Sequence, residues 1–243
     1  MVDNLVMPGP GANMSVNVGL LVDGGTVTVI DAGPPGAENA ICEYIRQIGY
    51  SLSQVRRIIL THHHVDHIGG LTGLVNLTGA EVWAHKDDAG FIDGSIARPI
   101  VEMPIERILS LMPAATEEEI AAFRERMKEL RRAQPTKVDL RLSGGEELSL
   151  LGCCQIVHTP GHTPGHICLY LPTRSLLIAG DLMRYEQGQI GGPIPEFTAN
   201  LEEAKESLRR VAGLTFEAMY GYHGSFLTER ADRLAKALLD PNQ

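Results

Sequence analysis

The chain has 243 residues, a net charge of −9 at pH 7 and 44% hydrophobic residues. This size and composition suit a folded domain with a full apolar core. The acidic balance argues against a nucleic-acid partner, because nucleic-acid binding normally depends on clustered lysine and arginine. No apolar run approaches the roughly 18 residues that a membrane-spanning helix needs, so no membrane partner is expected.

The first residues and the cysteines give an expectation about the compartment. Residues 1–5 lack the basic start and the apolar run of a secretory leader, so a cytoplasmic location is expected. The cysteines have no C-x-x-C spacing, which favours small core residues with reduced thiols over metal ligands. They are Cys42, Cys153, Cys154 and Cys168.

Strand and helix patterns alternate along the first third of the chain, as is typical of an α/β domain. A hairpin turn at residues 23–25 joins the first two predicted strands. Predicted strands in this part are 14–22, 26–30, 57–60 and 81–85. Predicted helices are one that carries Ile41, Tyr44, Ile45 and Ile48 and ends at Gly49, and a short one at 67–77.

The pattern changes over residues 90–137, which we interpret as a helical insertion within a single domain of residues 1–243. Thr116 and Glu119 predict a capping box at the start of a helix. One narrow apolar stripe marks that helix, formed by Ile120, Phe123, Met127 and Leu130. Three roles fit such a stripe: packing on its own domain, a lid over a pocket, or a homodimer contact.

Strand patterns resume after residue 137, and glycine and proline separate them. Predicted strands are 138–142, 147–151, 154–158, 166–171, 175–179 and 216–220. Asn200 and Glu203 predict the start of one helix, and a last helix is predicted at about 227–239.

Four metal-ligand side chains follow the strand at 57–60 within a short stretch. They are His62, His64, Asp66 and His67. Imidazole and carboxylate are ligands that zinc and neighbouring divalent ions prefer. Two residues apart on an extended segment, His62 and His64 project to the same side, so both reach one ion. The stretch is internal, which argues against a purification tag.

Three further polar residues each follow a predicted strand. His162 lies in a loop whose prolines and glycines fix its shape, Asp181 follows the strand at 175–179, and His223 follows the strand that starts at 216. Taken singly, each also fits an ordinary hydrogen-bonded residue. His158 and His166 flank the loop of His162 as possible supporting partners, and His63 and His85 have no assigned role.

Together these residues resemble the metallo-β-lactamase superfamily over roughly residues 14–224. The resemblance rests on an H-x-H-x-D-H stretch, a histidine in a P-G-H-T-P-G loop, an aspartate after a strand and a last histidine near the carboxyl end. It implies an α/β fold of four layers, an αββα sandwich with two sheets face to face and helices outside. It also implies that Asp31 orients the site without binding metal.

The resemblance further implies a pair of metal ions. His62, His64 and His162 would hold one ion, Asp66, His67 and His223 the other, and Asp181 would bridge them. Zinc is the expected metal, with iron or manganese as alternatives. Two such ions lower the pKa of a shared water towards neutrality, which predicts a metal-dependent hydrolase that uses a metal-bridging hydroxide.

Four residues are predicted to take part in catalysis directly. Asp66 and Asp181 would partly neutralise the ions, and a carboxylate near the bridge would accept a proton. Tyr185 and Tyr222 would donate a hydrogen bond to a developing oxyanion, with simple packing as the alternative for both.

The predicted substrate is a small molecule with an ester-like bond, either a lactone, a carboxylic ester or a thioester. On the resemblance, Asp181 together with His67 argues against β-lactam cleavage. Apolar residues of the insertion favour a substrate with an apolar portion, namely Phe91, Ile92, Ile96, Ile100, Met103, Ile105, Leu109 and Met112. Alternatives are a phosphotriester or phosphodiester hydrolase, a mononuclear iron persulfide dioxygenase and a non-catalytic metal-binding protein.

Overall fold

The computed structural model describes residues 2–7, 14–99, 116–130, 133–186 and 188–239. The strands are β1 (Val2–Met7), β2 (Met14–Asp23), β3 (Thr26–Ile30), β4 (Val55–Ile59), β5 (Glu81–His85), β6 (Leu140–Leu142), β7 (Glu147–Leu148), β8 (Cys154–His158), β9 (Ile167–Leu171), β10 (Leu176–Gly180), β11 (Arg184–Glu186), β12 (Gln189–Gly191), β13 (Ala218–Gly221) and β14 (Phe226–Leu227). The helices are α1 (Glu38–Gln47), α2 (Val65–Ile68), α3 (Leu71–Thr78), α4 (Lys86–Asp93), α5 (Glu117–Leu130), α6 (Leu201–Ala212) and α7 (Ala231–Ala237).

Hydrogen bonds join the described strands into two six-stranded sheets and one hairpin, β11-β12. The first sheet has the order β1-β2-β3-β4-β5-β6, and the second has the order β14-β13-β10-β9-β8-β7. Strands β3 to β6 run parallel to one another, as do β10 and β13. Parallel strands end at the same edge of a sheet, so the residues that follow them are brought together.

Three apolar clusters show how the layers stack. Along β3, Val27 and Val29 pack with the helices outside the first sheet, whereas Ile30 packs in the cluster shared by both sheets. Strand β10 alternates in the same way, with Leu177 facing α6 and α7 and Ile178 facing the first sheet. Side chains of a strand point to opposite faces in turn, so both sheets are covered on both sides. The predicted four-layer αββα sandwich is confirmed.

Several predicted elements differ from the structure in their bounds. The helix predicted at 67–77 is two helices, because the Gly70 amide donates to the Gly33 carbonyl oxygen at 3.1 Å and the His67 carbonyl oxygen accepts from the Ala32 amide at 2.7 Å, which interrupts the helical hydrogen bonds. The last helix begins only at Ala231, since the chain before it forms the short strand β14. Strands of two or three residues carry too little periodicity to be predicted, which explains why β11, β12 and β14 were missed.

The start of α5 agrees with its predicted cap. The Thr116 hydroxyl accepts from the Glu119 amide at 3.2 Å, and the Glu119 carboxylate accepts from the Thr116 amide at 2.8 Å. Of the predicted stripe, Ile120 is buried, and the side chains of Phe123, Met127 and Leu130 lie outside the described residues, as does the segment 100–115. The extent and role of the insertion therefore stay predictions.

A helix that spans a bilayer needs roughly 20 consecutive, mostly apolar residues. No helix in the described segments meets both requirements.

Asn17 fastens β2 to the segment that carries His223. Its buried side-chain amide donates to the carbonyl oxygens of Tyr222 at 3.2 Å and Gly224 at 2.9 Å. Its backbone amide also donates to Tyr222 at 3.0 Å. These bonds hold the carboxyl end of the second sheet against the first sheet.

Replacing Asn17 with alanine should lower the free energy of unfolding by about 1 to 3 kcal/mol, because buried carbonyl groups lose their donor. Chemical denaturation of Asn17→Ala measures this loss. Asn76→Ala, on the exposed surface of α3, is the control and should change little. An Asn17→Ala protein as stable as Asn76→Ala would contradict the fastening role.

Candidate metal centre

The predicted ligands meet between the two sheets in two adjoining groups. The first group is His62, His64, His162 and Asp181. The second group is Asp66, His67 and His223. Within each group the ligand atoms lie within 4.8 Å of one another. All seven predicted ligands are therefore placed where they can share one or two ions.

Three imidazoles of the first group surround a common point. The ring of His62 lies 4.6 Å from that of His64 and 4.7 Å from that of His162, and His64 lies 4.6 Å from His162. The rings are nearly perpendicular, at 80°, 86° and 73°. Nδ1 of His64 and Nε2 of His162 are 3.0 Å apart. Such a convergence of nitrogen lone pairs suits a cation with tetrahedral coordination.

Asp181 lies between the two groups. Its Oδ2 is 3.4 Å from Nε2 of His162 and 3.5 Å from Nε2 of His223, and its Oδ1 is 3.2 Å from Nε2 of His67. Asp66 completes the second group, with Oδ2 3.2 Å from Nε2 of His223. One carboxylate therefore contacts ligands of both groups.

Buried acceptor atoms of the site face one another. Nδ1 of His67 lies 2.9 Å from Asp31 and donates to it in the neutral ring, which leaves Nε2 as a lone pair that faces Asp181 Oδ1. His62 Nε2, His67 Nε2 and Asp181 Oδ1 are all buried, and none has a hydrogen-bond partner among the described residues. Unpaired buried acceptors cost free energy, so these residues fit a divalent cation.

The two groups differ in the charge that they favour. Burial lowers the pKa of His64 to about 4 and, together with the neighbouring histidines, keeps the pKa of His62 well below its usual value. Burial also lowers the pKa of His67, but Asp181, Asp31 and Asp66 offset this and raise it to about 10. The first group thus offers neutral imidazoles, and the second attracts positive charge.

Asp31 holds in place both His67 and the start of the loop that carries His62 and His64, as the resemblance implied. Its Oδ1 accepts from the Thr61 amide at 2.8 Å, and its Oδ2 accepts from the Thr61 hydroxyl at 2.9 Å and from His67 Nδ1 at 2.9 Å. Partners that orient ligand histidines in this way fix the tautomer that binds metal.

His166 supports the backbone of Asp181. Its Nε2 accepts from the Asp181 amide at 3.1 Å, and its Nδ1 lies 2.8 Å from the Thr159 hydroxyl, which accepts from it. His158 lies elsewhere, with its ring stacked on His85 at 3.9 Å. Of the two histidines predicted as supporting partners, His166 therefore contacts a ligand.

The two predicted tyrosines occupy different positions. The Tyr222 ring stacks on His67 at 3.6 Å, and its hydroxyl donates to the carbonyl oxygen of Asp66. Tyr185 lies in β11 and packs against the apolar cluster of the second sheet. An oxyanion role for Tyr185 stays a prediction, and Tyr222 would have to release Asp66 to fill such a role.

His85, Asp87 and His158 form a third group of ligand-type side chains. The two imidazoles are stacked nearly parallel, with an angle of 15° between their planes. Nitrogen lone pairs lie in the ring plane, so those of stacked rings do not converge on one ion. His158 Nε2 also contacts the Pro164 carbonyl oxygen at 2.9 Å. This group does not fit a metal ion.

The structure adds polar residues that the sequence reading did not single out. Besides Asn17 and Thr61, Thr198 Oγ1 lies 3.2 Å from His162 Nδ1, and the buried Asp88 contacts His63. The position of Asp88 just after β5, which is parallel to β4, was an available indication, because other site residues also follow parallel strands.

Comparisons with known proteins agree with this geometry. Residues 12–223 match the family model described as the metallo-beta-lactamase superfamily. The chain is 28% identical to the probable metallo-hydrolase YflN of Bacillus subtilis, over 85% of this chain and 82% of that protein. It is 30% identical to a hydroxyacylglutathione hydrolase of Cereibacter sphaeroides, over 85% of this chain and 61% of that protein. The metallo-beta-lactamase family protein TTHA1429 of Thermus thermophilus superposes with a TM-score of 0.69 at 28% identity, over 98% of this chain and 76% of that one.

Changing Asp31 to asparagine should weaken metal binding roughly 10- to 100-fold, because His67 loses its charged partner. Asparagine suits this position, since Asp31 has a φ of 63° and asparagine tolerates the left-handed region. Titration of the metal-free protein with Zn²⁺ in competition with a chromogenic chelator gives the affinity. Unchanged affinity in a folded Asp31→Asn protein would exclude the orienting role.

Proposed function

The chain belongs to the metallo-β-lactamase superfamily and is a metal-dependent hydrolase, and on this premise we propose that it cleaves a small ester-like bond with two divalent ions. The bond would be a lactone, a carboxylic ester or a thioester. Zinc is the proposed metal, with iron or manganese as alternatives.

The position of Asp181 carries the proposal of two ions. Its carboxylate contacts His162 of the first group and both His67 and His223 of the second group. A site for one ion needs no carboxylate shared in this way, whereas paired ions are typically held by a ligand between them. His62, His64 and His162 would hold the first ion, Asp66, His67 and His223 the second, and Asp181 both.

When bound, the two ions lower the pKa of water at the site and polarise the oxygen of the bond to be cleaved. The protein supplies the rest. Asp66 and Asp181 balance part of the positive charge, and either carboxylate can take a proton as the bond breaks. Asp31 and His166 hold the ligands in one geometry, so that little reorganisation is needed during the reaction.

Two observations support an ester-like substrate over a phosphoester. A relative at 30% identity is a hydroxyacylglutathione hydrolase. The ring of Phe91 stacks on His63 at 4.4 Å, which brings an apolar surface beside the ligand stretch.

Asp181→Ala should bind fewer than two ions per chain and lose most of its hydrolytic activity, because the shared ligand is gone. Elemental analysis of the purified variant counts the ions. Glu196→Gln is the control, since it removes one carboxylate from an exposed residue and should keep the metal content of the wild type. Two retained ions and full turnover in Asp181→Ala would refute the bridging role.

The substrate class is tested with the wild-type protein after its metals have been counted. We expect hydrolysis within a panel of lactones, carboxylic esters and thioesters, and little with phosphodiesters, phosphotriesters and β-lactams. Activity confined to phosphoesters or to β-lactams would overturn the proposed bond type. One iron per chain, with oxygen consumed in the presence of a persulfide, would select a dioxygenase instead.

A further inference from the structure

Asp88 is a buried carboxylate at the start of α4 that binds no ligand of the candidate metal centre. It accepts hydrogen bonds from the His63 amide at 2.9 Å, the Thr163 hydroxyl at 2.8 Å and the Gly165 amide at 2.6 Å. His63 Nδ1 also lies 2.9 Å from it. A fully buried carboxylate is stable only when donors surround it, so its partners are held tightly.

The partners of Asp88 come from two different ligand loops. His63 sits between His62 and His64, in the loop that follows β4 of the first sheet. Thr163 and Gly165 belong to the loop that carries His162, between β8 and β9 of the second sheet. One side chain thus joins the backbone on either side of the point where the three imidazoles converge.

We propose that Asp88 is a positioning residue that sets the distance between the His62 and His64 loop and the His162 loop. Through this distance it fixes the geometry and affinity of the first metal site. The inference rests on the proposed metal site and goes beyond it, because Asp88 itself contacts neither ion nor substrate. Preorganised ligands bind more tightly, since ordering them costs nothing at the moment of binding.

Gly165 shows how closely Asp88 fits the second loop. A Cβ on Gly165 would lie 2.5 Å from the Asp88 backbone nitrogen and 2.7 Å from its Oδ1. A side chain there would therefore push the loop of His162 away from α4. Gly165→Ala offers a second route to the same displacement without a change of charge.

Asp88→Asn tests the proposal, because an amide has one acceptor oxygen and must turn its amino group towards an N–H donor. The probe is Co²⁺ added to the metal-free protein, followed by its visible absorption. We expect Asp88→Asn to bind the first Co²⁺ at least 10-fold more weakly and with an altered absorption spectrum. Asp87→Asn, its exposed neighbour on α4, is the matched control and should titrate like the wild type.

A folded Asp88→Asn protein that binds Co²⁺ with the wild-type affinity and spectrum would overturn the proposal. If thermal unfolding shows that this variant does not fold, Thr163→Val and Gly165→Ala decide, and wild-type titrations in both would overturn it equally. Wild-type protein that binds no Co²⁺ would instead refute the metal site itself. Two ions in the wild type and unchanged binding in the Asp88 variant would refute only the positioning role.

Discussion

Buried acceptor atoms that face one another are the constraint on which the site depends. When the His67 ring is neutral, its Nε2 lone pair faces a carboxylate oxygen of Asp181 across 3.2 Å, and His62 Nε2 lies buried beside them with no hydrogen-bond partner among the described residues. In a low-dielectric interior such a contact is unfavourable unless positive charge lies between the acceptors. A proton on His67 supplies that charge in the metal-free chain, and divalent cations would supply it when they are bound.

The rest of the architecture holds these acceptors together against their repulsion. Three of the ligand positions are fastened by a neighbouring side chain: Asp31 bonds to His67, His166 to the Asp181 backbone, and Asn17 to the His223 segment. The fasteners come from strands or strand ends of both sheets, so the sandwich itself sets the ligand geometry. The packing of the two sheets therefore determines the geometry of the metal centre, and replacing a fastener displaces the ligand that it holds.

The sequence allowed the ligands, the layers and two of the fasteners, Asp31 and His166, to be predicted, but not Asn17. His62, His64, Asp66 and His67 are adjacent in sequence, and strand ends carry the others, so their chemistry was visible without a structure. Asn17 and Asp88 are single polar residues whose partners are distant in sequence: Asn17 bonds across 205 positions and Asp88 across 77. No local spacing encodes such pairs. Short strands and the helix α4 were missed for the related reason that tertiary contacts, and not periodicity, define them.

Charge balance explains why the carboxylates around the site are tolerated. Asp31, Asp66, Asp88 and Asp181 are all buried or nearly so, and two divalent ions would bring an equal and opposite charge. Without cations, Asp181, Asp31 and Asp66 raise the pKa of His67 to about 10, and Asp181 and Asp66 raise the pKa of His223 well above its usual value, although burial opposes both shifts. Protons and metal ions therefore compete for the same lone pairs. The second group, which lies beside Asp31 and Asp181, therefore attracts positive charge, whereas the imidazoles of the first group stay neutral and depend more on geometric support to hold an ion.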